Sequence, residues 1–173
     1  MSDASGLLTY TFTVKVDGAP MSDETAVLSI EVESSLALPD SCTLAVLDSD
    51  HTAASTFSLG STLEVSVGLG EADTSIFSGE VTSVEIEYSS VGTSLFVRGL
   101  DKSNRLFLGS ATKAYMQMTA SDIVSQIAGD AGLSVGRVDA TDVTYPVATQ
   151  ANQSDWEYMQ QLASESGRVL YFS

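Results

Sequence analysis

The side chains of this sequence that could do chemistry are few and scattered. His51 is the only histidine and Cys42 the only cysteine. A serine or cysteine hydrolase needs an imidazole beside its nucleophile, and a usual zinc site needs four ligands. His51 lies in a polar loop, so we expect a solvated turn residue there. Cys42 lies in a strand-like run, and we expect it to be a buried small apolar residue.

Four other motifs have simpler explanations than chemistry. Asp48-Ser49-Asp50 begins like a calcium loop, but no glycine follows at the sixth position and no carboxylate at the twelfth. Gly68-Leu69-Gly70 lacks the following Gly-Lys-Ser/Thr of a phosphate loop and predicts a hairpin turn. Glu85 and Glu87 fit the solvated face of a strand, and Asn152-Gln153-Ser154 fits the lead-in to a helix. We therefore expect no catalytic, cofactor-binding or metal-binding residues, and no enzyme.

The charge of the chain is unevenly distributed. The formal net charge is −16, and residues 1–97 hold 15 of the 23 acidic side chains but a single basic one, Lys15. Such a field repels phosphate backbones, so we expect no direct binding of nucleic acid. It is compatible with a basic partner, an acidic channel or a salty habitat, and composition does not separate these three.

Neither a membrane segment nor a signal peptide is expected. No apolar run approaches the roughly 20 residues that a membrane-spanning helix needs. The first residues, MSDASGLLTY, also lack a basic stretch followed by an apolar one.

The first hundred residues predict a series of strands. Apolar and polar residues alternate from Thr9 to Asp17, where Tyr10, Phe12, Val14 and Val16 share a face, and again where Leu28, Ile30 and Val32 share one. Further strands are predicted at residues 43–47, 62–69, 76–88 and 93–100. Because only short turns separate them, an antiparallel barrel or sandwich is favoured over a parallel sheet.

The longest predicted strand changes register part of the way along. Its apolar set moves from Phe77, Gly79 and Val81 to a second set one residue out of step, Val84, Ile86 and Tyr88. A one-residue change predicts a β-bulge near Thr82-Ser83, where the strand bends.

After Leu108 the pattern becomes helical. Residues 119–133 place an apolar stripe on one helical face, and Gly132 is a natural stop. The members of the stripe are Ile123, Val124, Ile127, Ala128 and Ala131. A second helix begins with the capping box Ser154-Asp155-Trp156-Glu157, buries Trp156 together with Met159, Leu162 and Ala163, and ends at Gly167 before a strand-like run at residues 168–172.

The predicted fold class is thus mainly β. An antiparallel β-barrel over residues 1–108 is followed by a small α+β segment with two short helices over residues 109–173.

Four segments of the sequence resemble, in this order, the phage late control protein D and VgrG-like baseplate hub family. They are residues 75–87, 95–106, 121–133 and 150–167. The best-marked segment is SDWEYMQQLASESG, residues 154–167, which Gln150 and Asn152 precede at the family's spacing. The residues that carry the resemblance most clearly are Phe77, Gly79, Val81, Gly99, Asp101, Ile123, Ser154, Asp155, Trp156, Glu157, Ala163 and Gly167.

The resemblance implies a homotrimeric hub of a contractile injection system or phage tail. Each subunit of such a hub carries two related barrels, so that three chains adapt the sixfold inner tube to a threefold spike. The implied partners are the inner tube protein, a spike or spike-tip protein and other baseplate proteins, without membrane insertion by this segment. The implied place is a phage virion or injection particle, such as a type VI secretion machine, assembled in the prokaryotic cytoplasm.

This sequence departs from the family in two ways. The family's chain continues into a second barrel and usually a spike, which are missing here. The scarcity of basic residues before Arg98 puts in doubt any partner surface that relies on them.

A β-sandwich binding module for carbohydrate or protein, or another phage structural protein, would share the alternating strands. A sandwich does not need a capped, tryptophan-bearing helix after the sheet. The order of segments after Leu108 therefore favours the hub.

Overall fold

The computed structural model describes residues 10–22, 25–49, 52–69, 72–90 and 92–172. These described residues fall into two compact units, one within the bounds Met1–Ser34 and Asp40–Asp101 and the other within the bounds Ser35–Pro39 and Lys102–Ser173. The predicted boundary after Leu108 lies slightly beyond this division, because Leu106 is buried in the core of the second unit. Antiparallel sheets dominate and two short helices follow, which confirms the mainly β fold class.

The first unit is one antiparallel sheet of seven strands. These are β1 (Tyr10–Val16), β2 (Ala19–Pro20), β3 (Ala26–Glu33), β4 (Ser41–Leu47), β5 (Thr62–Leu69), β6 (Ala72–Ser89) and β7 (Gly92–Leu100). Their hydrogen-bonded order is β2-β1-β5-β6-β7-β4-β3. Buried residues of β1 and β4, near opposite ends of that order, share one core cluster, so the sheet curls around its apolar face. Among the described residues no ladder joins β1 to β3, which leaves the curled sheet open.

The described strands of this sheet contain three bulges, and two of them decide which side chains reach this core. The predicted bulge is confirmed, because the register of β6 shifts between Val81 and Ser83, and Val84 as well as Val81 then packs on the core. A second bulge at Leu28 in β3 turns Val27 towards the core instead. Leu28, at the bulge itself, is 57% exposed, so it is less covered than the alternation with Ile30 and Val32 predicts.

Three further residues of the predicted apolar faces are exposed. They are Phe12, Ile86 and Tyr88. Phe12 lies on β1, beside the opening of the sheet, whereas Ile86 and Tyr88 lie towards the end of β6, which continues beyond the core cluster. The side chain of Tyr10 lies outside what the structure describes. Alternation therefore identified the strands but overestimated how much of each face is covered.

The second unit packs two helices against a two-stranded antiparallel sheet. Its elements are β8 (Ala111–Thr119), α1 (Ala120–Asp130), β9 (Thr144–Gln153) and α2 (Asp155–Glu165). Both helices were predicted, and the stripe on α1 is confirmed, since Ile123, Ile127 and Ala128 are buried. Neither described helix is long and apolar enough to span a bilayer.

The strands of the second unit differ from expectation. β8 and β9 were not predicted, because only Tyr115 in β8 and two residues in β9 are buried, and their alternation is weak. The strand-like run at residues 168–172 forms no strand. Its end is held instead by the Phe172 amide, which donates to the Leu36 carbonyl at 3.0 Å.

Candidate functional site

The first group of motif residues builds a slot for one aromatic ring. Phe77 and Gly79 point to the same face of β6, and Gly99 lies on β7 opposite Val81. A Cβ on Gly79 would stand 2.6 Å from Phe77 Cζ, and one on Gly99 would stand 3.3 Å from Phe77 Cε1. Both glycines therefore make room for the buried ring, which fills the core beside Val81. At the end of β7 the Asp101 amide donates to the Asp40 carbonyl at 2.9 Å.

The second group of motif residues starts α2. Ser154 Oγ accepts from the Glu157 amide at 3.2 Å, and Glu157 Oε2 accepts from the Ser154 amide at 2.8 Å. The predicted capping box is thus confirmed. Gly167, with φ of +63°, ends the last turn, because it lets the Arg168 amide donate to the Ala163 carbonyl at 2.8 Å.

Trp156 is the aromatic centre of the second unit's core. It is 5% exposed and stacks on Phe172 with ring centroids 4.5 Å apart and on Phe107 with centroids 5.3 Å apart. The prediction of a core anchor is confirmed. Ile123, from the other helix, is fully buried in the same cluster. These side chains hold the two helices and the chain end together.

A buried polar network lies under the N-terminus of α2. Gln150 is fully buried, and its Nε2 donates to Asp155 Oδ1 at 2.8 Å and to the Gln153 carbonyl at 3.0 Å. Its Oε1 accepts from the Tyr115 hydroxyl at 3.4 Å. Burial, and secondarily the charge of Asp155, raises the pKa of Tyr115 to about 12. The hydroxyl is protonated at neutral pH, as an ordinary tyrosine is, and the raised pKa keeps it able to donate at alkaline pH as well.

Asn152 sets the register of the strand before α2. It is the extra residue where the β8–β9 ladder shifts, and its φ of +51° is one that asparagine tolerates. Its Oδ1 accepts from Ser110 Oγ at 2.9 Å. The residues at the start of the best-marked motif, from Gln150 to Glu157, thus form a bulge, a buried network and a helix cap.

Sequence reasoning missed a second capping box, at the start of α1. Thr119 Oγ1 accepts from the Asp122 amide at 3.2 Å, while Asp122 Oδ2 accepts from the Thr119 amide at 3.1 Å. The Thr119 hydroxyl also donates to Asp122, which lowers the pKa of that carboxyl. The Thr-x-x-Asp spacing was the available signal. The Gln150 network left no such signal, because a glutamine in a strand usually faces water.

The residues considered for chemistry are dispersed or already engaged. The carboxylate of Asp48 accepts from the backbone amides of Ala53 at 2.9 Å and Ala54 at 3.1 Å, so it caps a short 3-10 turn. Cys42 is fully buried, as predicted, and burial raises the pKa of its thiol to about 11. Asp50, His51 and Gly70 lie outside the described residues, so the predictions for the polar loop and the Gly68-Leu69-Gly70 hairpin are only partly covered.

The paired glutamates belong to a solvated strand face, as predicted. Glu85 and Glu87 are both exposed. Glu85 Oε1 on β6 lies 3.8 Å from Arg98 Nη1 on the neighbouring strand β7. In the part of the chain that the structure describes, no group of three or more His, Cys, Asp or Glu side chains is arranged to hold a metal ion.

Three solved structures share this fold. The 43 kDa tail protein of prophage MuSo2 from Shewanella oneidensis matches 92% of the chain, with a TM-score of 0.70 and 18% identity. The E. coli c3393 protein matches 88% of it, with a TM-score of 0.66 and 19% identity. That protein is a component of the type VI secretion system and is structurally similar to the T4 bacteriophage tail proteins gp27 and gp5. A tail protein from Neisseria meningitidis MC58 matches 91%, with a TM-score of 0.60 and 17% identity.

The chain corresponds to only part of each of these proteins. It covers 49%, 42% and 46% of their lengths in the same order. No curated protein matches the sequence. The more specific resemblance to late control protein D and VgrG-like hubs stays a prediction.

One family model, described as the Alg8 N-terminal domain, matches residues 7–173. This match includes both compact units and every motif residue discussed above. The chain therefore belongs to the Alg8 N-terminal domain family.

Proposed function

We propose that this chain is part of a baseplate hub of a phage tail or contractile injection system. In this role the protein is a homotrimer that joins the sixfold inner tube to a threefold spike. Its partners are the inner tube protein, a spike or spike-tip protein and other baseplate proteins, within a virion or injection particle. Its action is structural and involves no reaction.

The observation that carries this proposal is the fold shared with tail proteins over about nine-tenths of the chain. The likeness includes both units and not the sheet alone, so a plain sandwich module explains it poorly. The order of the motifs adds support from the sequence, because the Phe77 slot, α1 and the capped α2 follow one another as in the hub family.

The roles of the motif residues also favour a structural protein. Phe77 and Trp156 fill cores, Ser154 and Gly167 delimit a helix, and Asp155 holds a buried glutamine. None of these side chains is left to act on a substrate. Motif residues that all maintain the shape of the protein fit an assembly adaptor, which works through its surfaces.

Light scattering of the full-length natural protein tests the proposal. We expect a mass three times that of one chain, unchanged between low and moderate salt. A strictly monomeric full-length protein would overturn the hub assignment, because a single chain cannot present threefold symmetry.

Co-expression with the inner tube protein of the same phage or injection system provides a second test. We expect the two proteins to copurify and to form rings in electron micrographs that have threefold symmetry on the hub side. An unrelated tube protein serves as the control. A trimer that does not bind its own tube protein would contradict the adaptor role.

A further inference from the structure

An opening in the sheet of the first unit lies between β1 and β3. The segment just after β2 is bonded to β1, because the Met21 amide donates to the Val14 carbonyl at 2.9 Å. Beyond that bond, β1 pairs only with β5 and β3 only with β4 among the described residues. The outer edge of β3 and the start of β1 thus offer backbone N–H and C=O groups that no strand of the described sheet uses.

An apolar groove of about 480 Å³ lies between these edges. Most of its wall consists of the hydrophobic side chains of Phe12, Val27, Leu28, Ile30, Val65 and Ile76. Phe12 is 53% exposed, Leu28 57% and Ile76 40%. A cluster of large exposed apolar side chains beside a free strand edge is typical of a surface that binds another protein.

The geometry of the edge indicates an extended strand as the occupant. A free edge selects an extended backbone through main-chain hydrogen bonds, and pockets beside it select alternate side chains. Because side chains of a strand point to its two faces in turn, every second residue of the occupant would enter the groove. Those residues must be apolar.

The side chains of the occupant that point away from the groove should be basic, because they lie beside acidic residues of β3. Glu31 and Glu33 lie on the outward face of β3 and are exposed, and Lys15 is the only basic residue before Arg98. Opposite charges on neighbouring strands stabilise a sheet, whereas like charges destabilise it. Two copies of this chain meeting along β3 would bring glutamates together, which disfavours self-pairing.

We propose that the gap between β1 and β3 is a docking site for an extended strand of another protein, in which apolar residues alternate with lysine or arginine. Such a strand would continue the sheet from β3 and cover the groove. This site does not depend on the hub assignment, since an edge of this kind can serve any assembly.

Binding of synthetic peptides to the full chain tests the proposal. The probe is a fluorescent nine-residue peptide in which valine and lysine alternate, measured by anisotropy at low and raised salt. The first control replaces each lysine with glutamate, and the second places proline at the central valine. We expect both controls to bind at least tenfold more weakly, and hydrogen exchange of the β3 amides to slow only with the lysine peptide.

Two pairs of variants locate the site. Leu28→Glu should weaken binding of the lysine peptide at least tenfold, while Leu59→Glu should not change it, because Leu59 is also exposed but does not line the groove. The double variant Glu31→Lys with Glu33→Lys should reverse the preference, so that the glutamate peptide binds better. Unchanged hydrogen exchange in β6 and β7 verifies that each variant is folded.

Three outcomes of the peptide experiments would overturn the proposal. They are equal binding of the lysine and glutamate peptides, equal binding by Leu28→Glu and the unaltered protein, and slowed exchange only away from β3. Dimerisation of the chain that Leu28→Glu abolishes would also overturn it, because the occupant would then be a second copy. A full-length protein that is monomeric but still binds the lysine peptide would contradict the hub assignment and support the docking site.

Discussion

Replacing Gly79 with alanine should destabilise the first unit, because the added methyl group has no space. The Cβ would collide with the backbone carbonyl of Leu100 and would lie 2.6 Å from Phe77 Cζ. Carbon atoms prefer separations of about 3.5–4.0 Å, so the ring would have to move by about 1 Å. Leu100 contributes backbone atoms, which cannot rotate away.

The size of the effect follows from two opposing terms. Overpacking of a core destabilises by about 1–3 kcal/mol. Loss of glycine's freedom in the unfolded chain favours the variant by about 0.4–1 kcal/mol. Because the obstruction includes backbone, we expect the upper part of the overpacking range and a net destabilisation of about 2 kcal/mol.

Substitutions at two other glycines serve as controls for Gly79→Ala. A Cβ on Gly99 would meet Leu63 Cδ2 at 3.1 Å and Phe77 Cε1 at 3.3 Å, side-chain atoms that can yield, so Gly99→Ala should destabilise less. Gly129 lies in α1 with nothing within 4 Å of its Cβ position, so Gly129→Ala should stabilise by about 0.5–1 kcal/mol.

Urea unfolding followed by hydrogen exchange of β6 and β7 peptides is the suitable assay, because Trp156 fluorescence reports on the second unit instead. If Gly79→Ala unfolds at the same urea concentration as the unaltered protein, or if Gly99→Ala is the more damaging change, the slot for Phe77 is wider than these distances indicate.

Three further predictions concern the second unit. Trp156→Ala should destabilise it by about 3–5 kcal/mol in urea unfolding followed by circular dichroism, and a loss below about 1 kcal/mol would show that the stacked rings contribute little. Gln150→Leu should destabilise by about 1–3 kcal/mol, because it leaves a buried hydroxyl and a carboxylate without their amide partner; a neutral result would mean that water replaces the amide. The Thr119 hydroxyl lowers the pKa of Asp122 below its ordinary value of 3.8, so the cap stabilises α1 fully above that pH, and its contribution is lost as the pH falls through the lowered pKa. In an NMR titration, Thr119→Val should raise the pKa of Asp122 back towards 3.8, and an unchanged value would contradict the assigned cause.

The features of the fold that have a signal within a short stretch of sequence are the ones that the sequence predicted. The capping box at Ser154, the stop at Gly167 and the bulge after Val81 are set by residues close together in the chain, and the structure confirms all three. Trp156 was predicted to be buried from the helical spacing of its neighbours alone. Cys42 was predicted to be buried because free cysteines in strands usually are.

Several features have no signal in the local pattern of residues, and these were missed. The bulge at Leu28 appears only when β3 aligns with β4, and it exposes a leucine that alternation placed on the apolar face. Phe12 also follows the alternation of β1, but it lies at the opening between β1 and β3 and stays half exposed. β8 and β9 are too weakly patterned to predict singly, because each is defined by its pairing with the other.

The sequence by itself determined the mainly β class, the two capped or stopped helices, the acidic character and the absence of a local catalytic motif, because each depends on residue type and short spacing. Only the tertiary structure decided that Gly79 and Gly99 shape one slot, that Gln150 joins Tyr115 to Asp155, and that the sheet stays open beside β3. Those arrangements depend on which distant segments pack together, and the free energy of that packing is shared among contacts that no single stretch of sequence contains.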